Sequence, residues 1–212
     1  MTVKGLVAKK IGMSRMMNSD GQLVPVTLLQ IETQKVTKVL TQERDGYSAV
    51  QVGYFLKPEH RLNKADISRL RKVKVEDNFA RFKEFRLSTP PEGLEVGAPL
   101  TIKMLEGVGA VDVTGLTKGR GFTGSIKRWN LARGRMTHGS MYHRRPGSLG
   151  TRTTPGRVFK LKPQPGQYGN EQRTIQNLKV MDIDAANNVV ALCGSVPGHK
   201  DNFVFLSPSV KA

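Results

Sequence analysis

Between Val113 and Asn170 the chain carries twelve basic side chains and no Asp or Glu. They are Lys118, Arg120, Lys127, Arg128, Arg133, Arg135, Arg144, Arg145, Arg152, Arg157, Lys160 and Lys162. Eight of the twelve are Arg, whose guanidinium makes bidentate bonds to phosphate and stacks on bases, whereas Lys offers a point charge. Trp129, Tyr142, His138 and His143 set flat rings among these cations, and glycines there let the backbone approach a phosphate closely. The chemistry this mixture suits is non-covalent: phosphate neutralisation and stacking of unpaired bases, as folded RNA offers. Ordinary soluble surfaces mix both signs, so excluding acids over 58 residues is more than a solvated loop requires.

Other chemistries find less support. Gly119-Arg120-Gly121-Phe122-Thr123-Gly124 matches GxGxxG, but a dinucleotide site also wants an acid about 20 residues on for the ribose, and the next acid is Glu171. The match reads as accidental. His138 and His143 have no Cys or carboxylate nearby to complete a metal set, and no metal or cofactor is expected. No carboxylate pair, nucleophile elbow or phosphate-binding loop offers a catalytic site, so an enzyme is not expected.

The elements that position the cationic stretch are of another material. The whole chain has 212 residues, 34 Lys plus Arg and 17 Asp plus Glu, for a net charge of +17. Twelve of those excess charges belong to residues 113–170, and the other 154 residues net only +5. A chain this long can bury a core, and its surplus charge calls for a polyanionic partner. Cys193 is the only cysteine, which rules out an internal disulfide and reads as a buried small hydrophobe. Neither a signal peptide nor a stretch of about 20 apolar residues is read, and a membrane partner is not expected.

The flanks are mainly β. Short Val/Ile/Leu/Thr-rich runs at Leu23–Ile31, Val36–Thr41, Tyr47–Phe55, Leu94–Leu105, Gly109–Val113, Ile175–Ile183, Val189–Val196 and Phe203–Leu206 predict strands, and their regular spacing predicts a barrel. Residues 58–87 break the pattern as an excursion with a helix and a strand near Phe79–Leu87. Strands on both sides of the basic segment are needed to close one sheet. The organisation expected is therefore a barrel from 1–112 and 171–212, with 113–170 inserted as a basic, Gly-rich irregular extension whose ends lie together. Doubled back at roughly 3.3 Å per residue it reaches some tens of Å, ~90 Å at most. Its scattered apolar residues cannot form a core of their own, so it should gain order only when a partner neutralises it.

The run Val111–Asp184, with VDVTGLTKGRGFTGSIKRWN, THGSMYHRRPGS, TTPGRVF and QNLKVMDID, resembles the large-subunit ribosomal protein L-three family. GLVAKKIGMSRM at Gly5–Met16, DGYSAVQVGY at Asp45–Tyr54 and KEFR at Lys83–Arg86 are similar to the same family in the same order, and the compact length is like its bacterial branch. The resemblance implies a translation-factor-like β-barrel on the outside of the large subunit and an extension threading toward the peptidyl-transferase centre. It also implies direct rRNA binding, early action in assembly, a place in the ribosome of a cytoplasm or organelle, and neighbours L-fourteen and L-nineteen. Carried over, Lys127, Arg128, Trp129, Arg133, Arg135, His138, His143, Arg144 and Arg145 contact rRNA, with the tip at about Trp129–Thr153. Pro146, Gly147, Pro155 and Gly156 shape the returning arm. Trp129 could equally pin the extension to its own barrel. Two positions depart from the family: Thr153 stands where methylated relatives have Gln, so that modification is not expected, and Lys160–Gly166 reads KLKPQPG in place of a Lys-Lys-Met-Ala-Gly run. A free-standing nucleic-acid chaperone or DNA-binding module is the alternative.

Overall fold

The computed structural model describes residues 5–87 and 94–211. The molecule is mainly β. Its strands are β1 (Leu6–Met17), β2 (Leu23–Gln30), β3 (Lys35–Leu40), β4 (Ala49–Leu56), β5 (Phe79–Arg86), β6 (Ala110–Leu116), β7 (Phe122–Thr123), β8 (Gly166–Gln167), β9 (Gln172–Asp184), β10 (Val189–Cys193) and β11 (Phe203–Pro208). Three short helices join them: α1 (Gln42–Asp45), α2 (Lys64–Lys72) and α3 (Ser125–Trp129). Contacts divide the chain into two compact units, 1–116 with 172–212, and 117–171.

In the first unit six strands pair into a closed antiparallel ring, β1-β11-β6-β9-β10-β2. Period-2 alternation fills it: Val111 and Val113 of β6, Val190 and Leu192 of β10, and Val204 and Leu206 of β11 are all wholly buried. Leu6 and Leu29 join them in the same core. Closing the ring leaves no long edge unpaired, the usual hazard of exposed strands.

Two polar side chains complete the ladder where backbone partners run out. Gln34, 1% exposed, accepts a hydrogen bond from Val7 N–H at 3.0 Å and donates one to Val7 C=O at 3.2 Å. The amide takes the place of a strand beside Val7. At the β6–β9 irregularity between Val111 and Val113, buried Asp112 accepts from Asn177 N–H at 2.8 Å, and Asn177 turns through a left-handed φ of 57°. The Gln34 amide thereby satisfies two buried backbone groups of Val7 that would otherwise each cost about 1–3 kcal/mol.

The expected strands of the flanks form, with four corrections. β3, β4 and β5 do not enter the barrel; they make their own antiparallel sheet, β3-β4-β5, whose Val36, Val50 and Val52 share the barrel's core. Leu94–Leu105 is not a strand. Pro99 lacks a ladder donor and Gly97 takes φ 92°, so the segment makes one isolated bridge and a 3-10 turn at Ile102–Leu105, burying Leu100, Ile102 and Leu105. β1 was not read as a strand, because Lys9, Lys10 and Arg15 interrupt its apolar alternation. Lys10 is 9% exposed and donates to the carbonyls of Val196 and Gly198 at 2.8 and 3.2 Å, so a buried cation stands where the pattern wanted a hydrophobe. Cys193, at the end of β10, is half-buried, not buried.

The excursion at 58–87 holds α2 and β5, and Leu70, Val75 and Phe79 form a small second core there. β6 and β9 bracket the central insertion. Leu116 lies opposite Gln172 in their ladder, so the insertion leaves and returns at adjacent points of one sheet.

Candidate nucleic-acid interface

The 117–171 unit is two arms joined at their base by backbone hydrogen bonds. Thr117 N–H donates to Glu171 C=O at 2.9 Å, and Glu171 N–H returns to the Thr117 hydroxyl at 3.2 Å. One step outward Arg120 N–H meets Tyr168 C=O and Tyr168 N–H meets Gly121 C=O, at 2.9 and 3.0 Å. β7 and β8 then pair Phe122 with Gln167 and Thr123 with Gly166. The GxGxxG match is thus part of this ladder: Thr123 Oγ1 donates to the Arg120 carbonyl at 3.1 Å, closing the loop on itself.

Beyond the ladder comes α3, only five residues long and ended by Asn130 at φ 56°. Its last two side chains hold the returning arm. Arg128 Nη1 and Trp129 Nε1 both donate to the Gln164 carbonyl, at 3.0 and 2.9 Å, and the Arg128 guanidinium lies 5.0 Å from the Trp129 ring centre. Trp129 is therefore a clasp within the extension, with 45% of its surface still open. Gln164 was not singled out from the sequence. It acts through its main chain, which side-chain chemistry does not reveal.

The tip is a second small closure. Gly134 N–H donates to His143 C=O at 2.9 Å, and His143 Nδ1 lies 3.1 Å from Arg135 C=O. A Cβ on Gly134 would overlap the Tyr142 carbonyl, and one on Gly169 the Lys118 carbonyl. These two glycines serve the chain's own close crossings. His138 is exposed at φ 58°. Among the described residues no cluster of three His, Cys, Asp or Glu side chains could hold a metal.

Burial in this unit is slight. Among its described residues only Thr123 and Ser125 are buried, and both are polar. Every residue from Met141 to Lys162 is exposed, including Met141 at 84% and Leu161 at 94%. Of the twelve cations, Lys118, Arg120, Lys127, Arg133, Arg135, Arg144, Arg145, Arg152, Arg157, Lys160 and Lys162 are exposed, and Arg128 is half-buried. Among the described residues none of them stands in an ion pair, whereas Lys9, Lys35, Lys38, Arg69 and Arg71 of the other unit do. Thr153 lies in an exposed turn whose Thr151 hydroxyl donates to Thr154 C=O at 2.6 Å.

Such a surface presents fixed positive charge and open rings, and between residues 113 and 170 the sequence holds no acid to compete for it. Arg120 sits 5.9 Å from the Tyr168 ring and Arg157 5.4 Å from that of Phe159, so these two rings lie beside cations. The arrangement can bind a polyanion and stack flat groups; no nucleophile and base are set together in it.

A sequence profile of the family described as Ribosomal protein L3 matches residues 101–191, which span the insertion and the strands that bracket it. The chain is 44% identical over 211 residues to a protein of Alteromonas mediterranea, covering 98% of this chain and 99% of that one. It is 44% identical over 209 residues to a protein of Vibrio parahaemolyticus, with the same coverage, and 42% identical over 209 residues to one of Geotalea daltonii, covering 99% and 98%. All three relatives are described as large ribosomal subunit protein uL3. End-to-end likeness at this level places the chain in the ribosomal protein L3 family of the large ribosomal subunit.

Proposed function

We propose that this chain is a structural, rRNA-binding member of the large ribosomal subunit, working in the cytoplasm, and that residues 113–170 are the part that enters the rRNA. The globular part, 1–112 and 171–212 with its barrel, rests on outer rRNA beside proteins L-fourteen and L-nineteen, while the extension runs toward the peptidyl-transferase centre. The observation that carries this reading is the stretch from Met141 to Lys162. Its residues are all exposed, it includes Arg144, Arg145, Arg152, Arg157, Lys160 and Lys162, and no described carboxylate answers them. A stretch that buries none of its own apolar side chains cannot offset the entropy of ordering itself, so it draws order from what surrounds it.

Packing rRNA helices together brings phosphates into mutual repulsion, and twelve cations placed between them offset that repulsion. This is a physical reason for the protein to join early in assembly. Catalysis forms no part of the role: the cations neutralise and position rRNA, and the reacting groups belong to the RNA. The test is cosedimentation of the native protein with large subunits through high-salt washes. Retention supports a subunit component; release, with equal binding to duplex DNA, supports a free nucleic-acid chaperone.

A further inference from the structure

Away from the extension, one face of the barrel unit lays cations over aromatic rings. Phe203 and Phe205 alternate along β11 with the wholly buried Val204 and Leu206, and so point away from the barrel core. There Tyr54, Phe55 and Phe85 meet them edge to face, with ring centres 5.2 to 6.4 Å apart. Above the rings stand Arg81, 5.5 Å from Phe55 and 5.4 Å from Phe203, Lys57, 5.3 Å from Phe55, and Lys83, 4.6 Å from Phe205. Among the described residues none of these three cations forms an ion pair, although Lys9, Lys35, Lys38, Arg69 and Arg71 of the same unit do.

The backbone adds an independent observation. Neighbouring side chains of a strand point to opposite faces, yet the rings of Tyr54 and Phe55 both lie 5.2 Å from Phe203. The cause is Phe55 itself, held at φ 63° inside β4. A bulky side chain in the left-handed region is strained, and such strain persists where the surroundings impose it and function uses it. Tyr54 already fills the space against Phe203 and Phe205. The turned Phe55 ring instead becomes a seat for Lys57 and Arg81.

We propose that the barrel unit meets RNA through this face, and that the face takes unpaired nucleotides. A base stacks on the outer side of Arg81, and flanking phosphates bind Arg81, Lys83 and Lys57. The rings beneath carry the cations, whose N–H groups remain free of carboxylates for phosphate. An acidic protein surface would need the charges alone; the π-faces beneath them fit a partner with flat bases. The inference rests on the rRNA-binding reading above.

The test is photocrosslinking of the full chain to a single-stranded RNA containing 4-thiouridine, with the linked peptides mapped by mass spectrometry. Links to the peptide holding Phe203 and Phe205 are expected, in addition to links within 117–171. The double variant R81Q/K83Q should lose the β11 links at least tenfold and keep those of the extension. Its slope of log affinity against log salt should fall by roughly 1.4, two single-strand phosphate contacts at about 0.7 each. Extension links with β11 silent would overturn this face and leave the extension's role standing; no links anywhere would overturn both. Equal linking to a fully paired duplex, or displacement by polyglutamate as effective as by unlabelled RNA, would also overturn it. The wild-type map decides the matter even if the double variant misfolds.

Discussion

Replacing Arg144 and Arg145 together by Gln removes two exposed, unpaired cations of the tip region while keeping a polar, hydrogen-bonding side chain. Neither side chain is part of the tip's closure, which runs through Gly134, Arg135 and His143, so the local backbone should survive. Each phosphate contact releases about 0.7 to 0.9 of a counterion, and at 0.15 M salt two such contacts are together worth roughly 1.2 to 1.5 log units of affinity. The double variant should therefore bind a large-subunit rRNA fragment about 15- to 30-fold more weakly at that salt, with a slope shallower by about 1.4 to 1.8. Fluorescence anisotropy of a labelled fragment titrated at several KCl concentrations measures both quantities. Gln at Arg61 and Lys64, exposed positions of the excursion, is the control and should change little. An unchanged slope for R144Q/R145Q, or an equal change for the control pair, would refute the electrostatic reasoning.

Gly134→Ala should open the tip without touching the barrel, because the new methyl collides with the Tyr142 carbonyl. Proteolytic cleavage near residues 134–143 should accelerate while the thermal midpoint stays within about 2 °C, a sub-kcal/mol change for a chain this size. Gln34→Leu should lower stability by about 2–6 kcal/mol, as it strands both Val7 backbone groups in a buried site. A denaturant midpoint unchanged from wild type would contradict this. Asp184 lies in the β9–β10 turn, where hydrogen bonds from the Asn187 side chain, the Asn187 N–H and the Ala186 N–H hold its carboxyl below the usual value of 3.8. A depressed carboxyl contributes stability that is complete above its unfolded value and is lost as pH falls through the folded one. Melting of Asp184→Asn and wild type should therefore differ at pH 6 and converge below about pH 3.8; a gap that widens in acid would contradict the assignment.

What could be read from the residues divides along physical lines. Strands with clean alternation, such as the β10 and β11 runs, were legible because each inward position is a hydrophobe and the turns between them carry Asn or Gly. β1 was not, since a buried Lys10 and the exposed Arg15 break its pattern and only the carbonyls of Val196 and Gly198 explain why a cation can sit there. The partition of β3, β4 and β5 into a separate sheet was equally hidden, because pairing partners are a property of tertiary packing and not of any one strand. The cationic character of the extension was fully visible in its lack of acids. Its internal fastening was not: the clasp runs from Arg128 and Trp129 to a carbonyl 35 or more residues away, and every residue type has a carbonyl. Two of its glycines, Gly134 and Gly169, also stand where the chain crosses itself, a use that residue type alone does not reveal.

The central claim, that residues 117–171 take their order from surrounding rRNA, is tested most directly by amide hydrogen exchange on the free protein and on the same protein within assembled large subunits. The prediction is rapid exchange from Met141 to Lys162 in the free chain, against slow exchange in β6 and β10, and strong protection of the whole insertion in the subunit. Protection of that stretch as great in the free protein as in the subunit would contradict it.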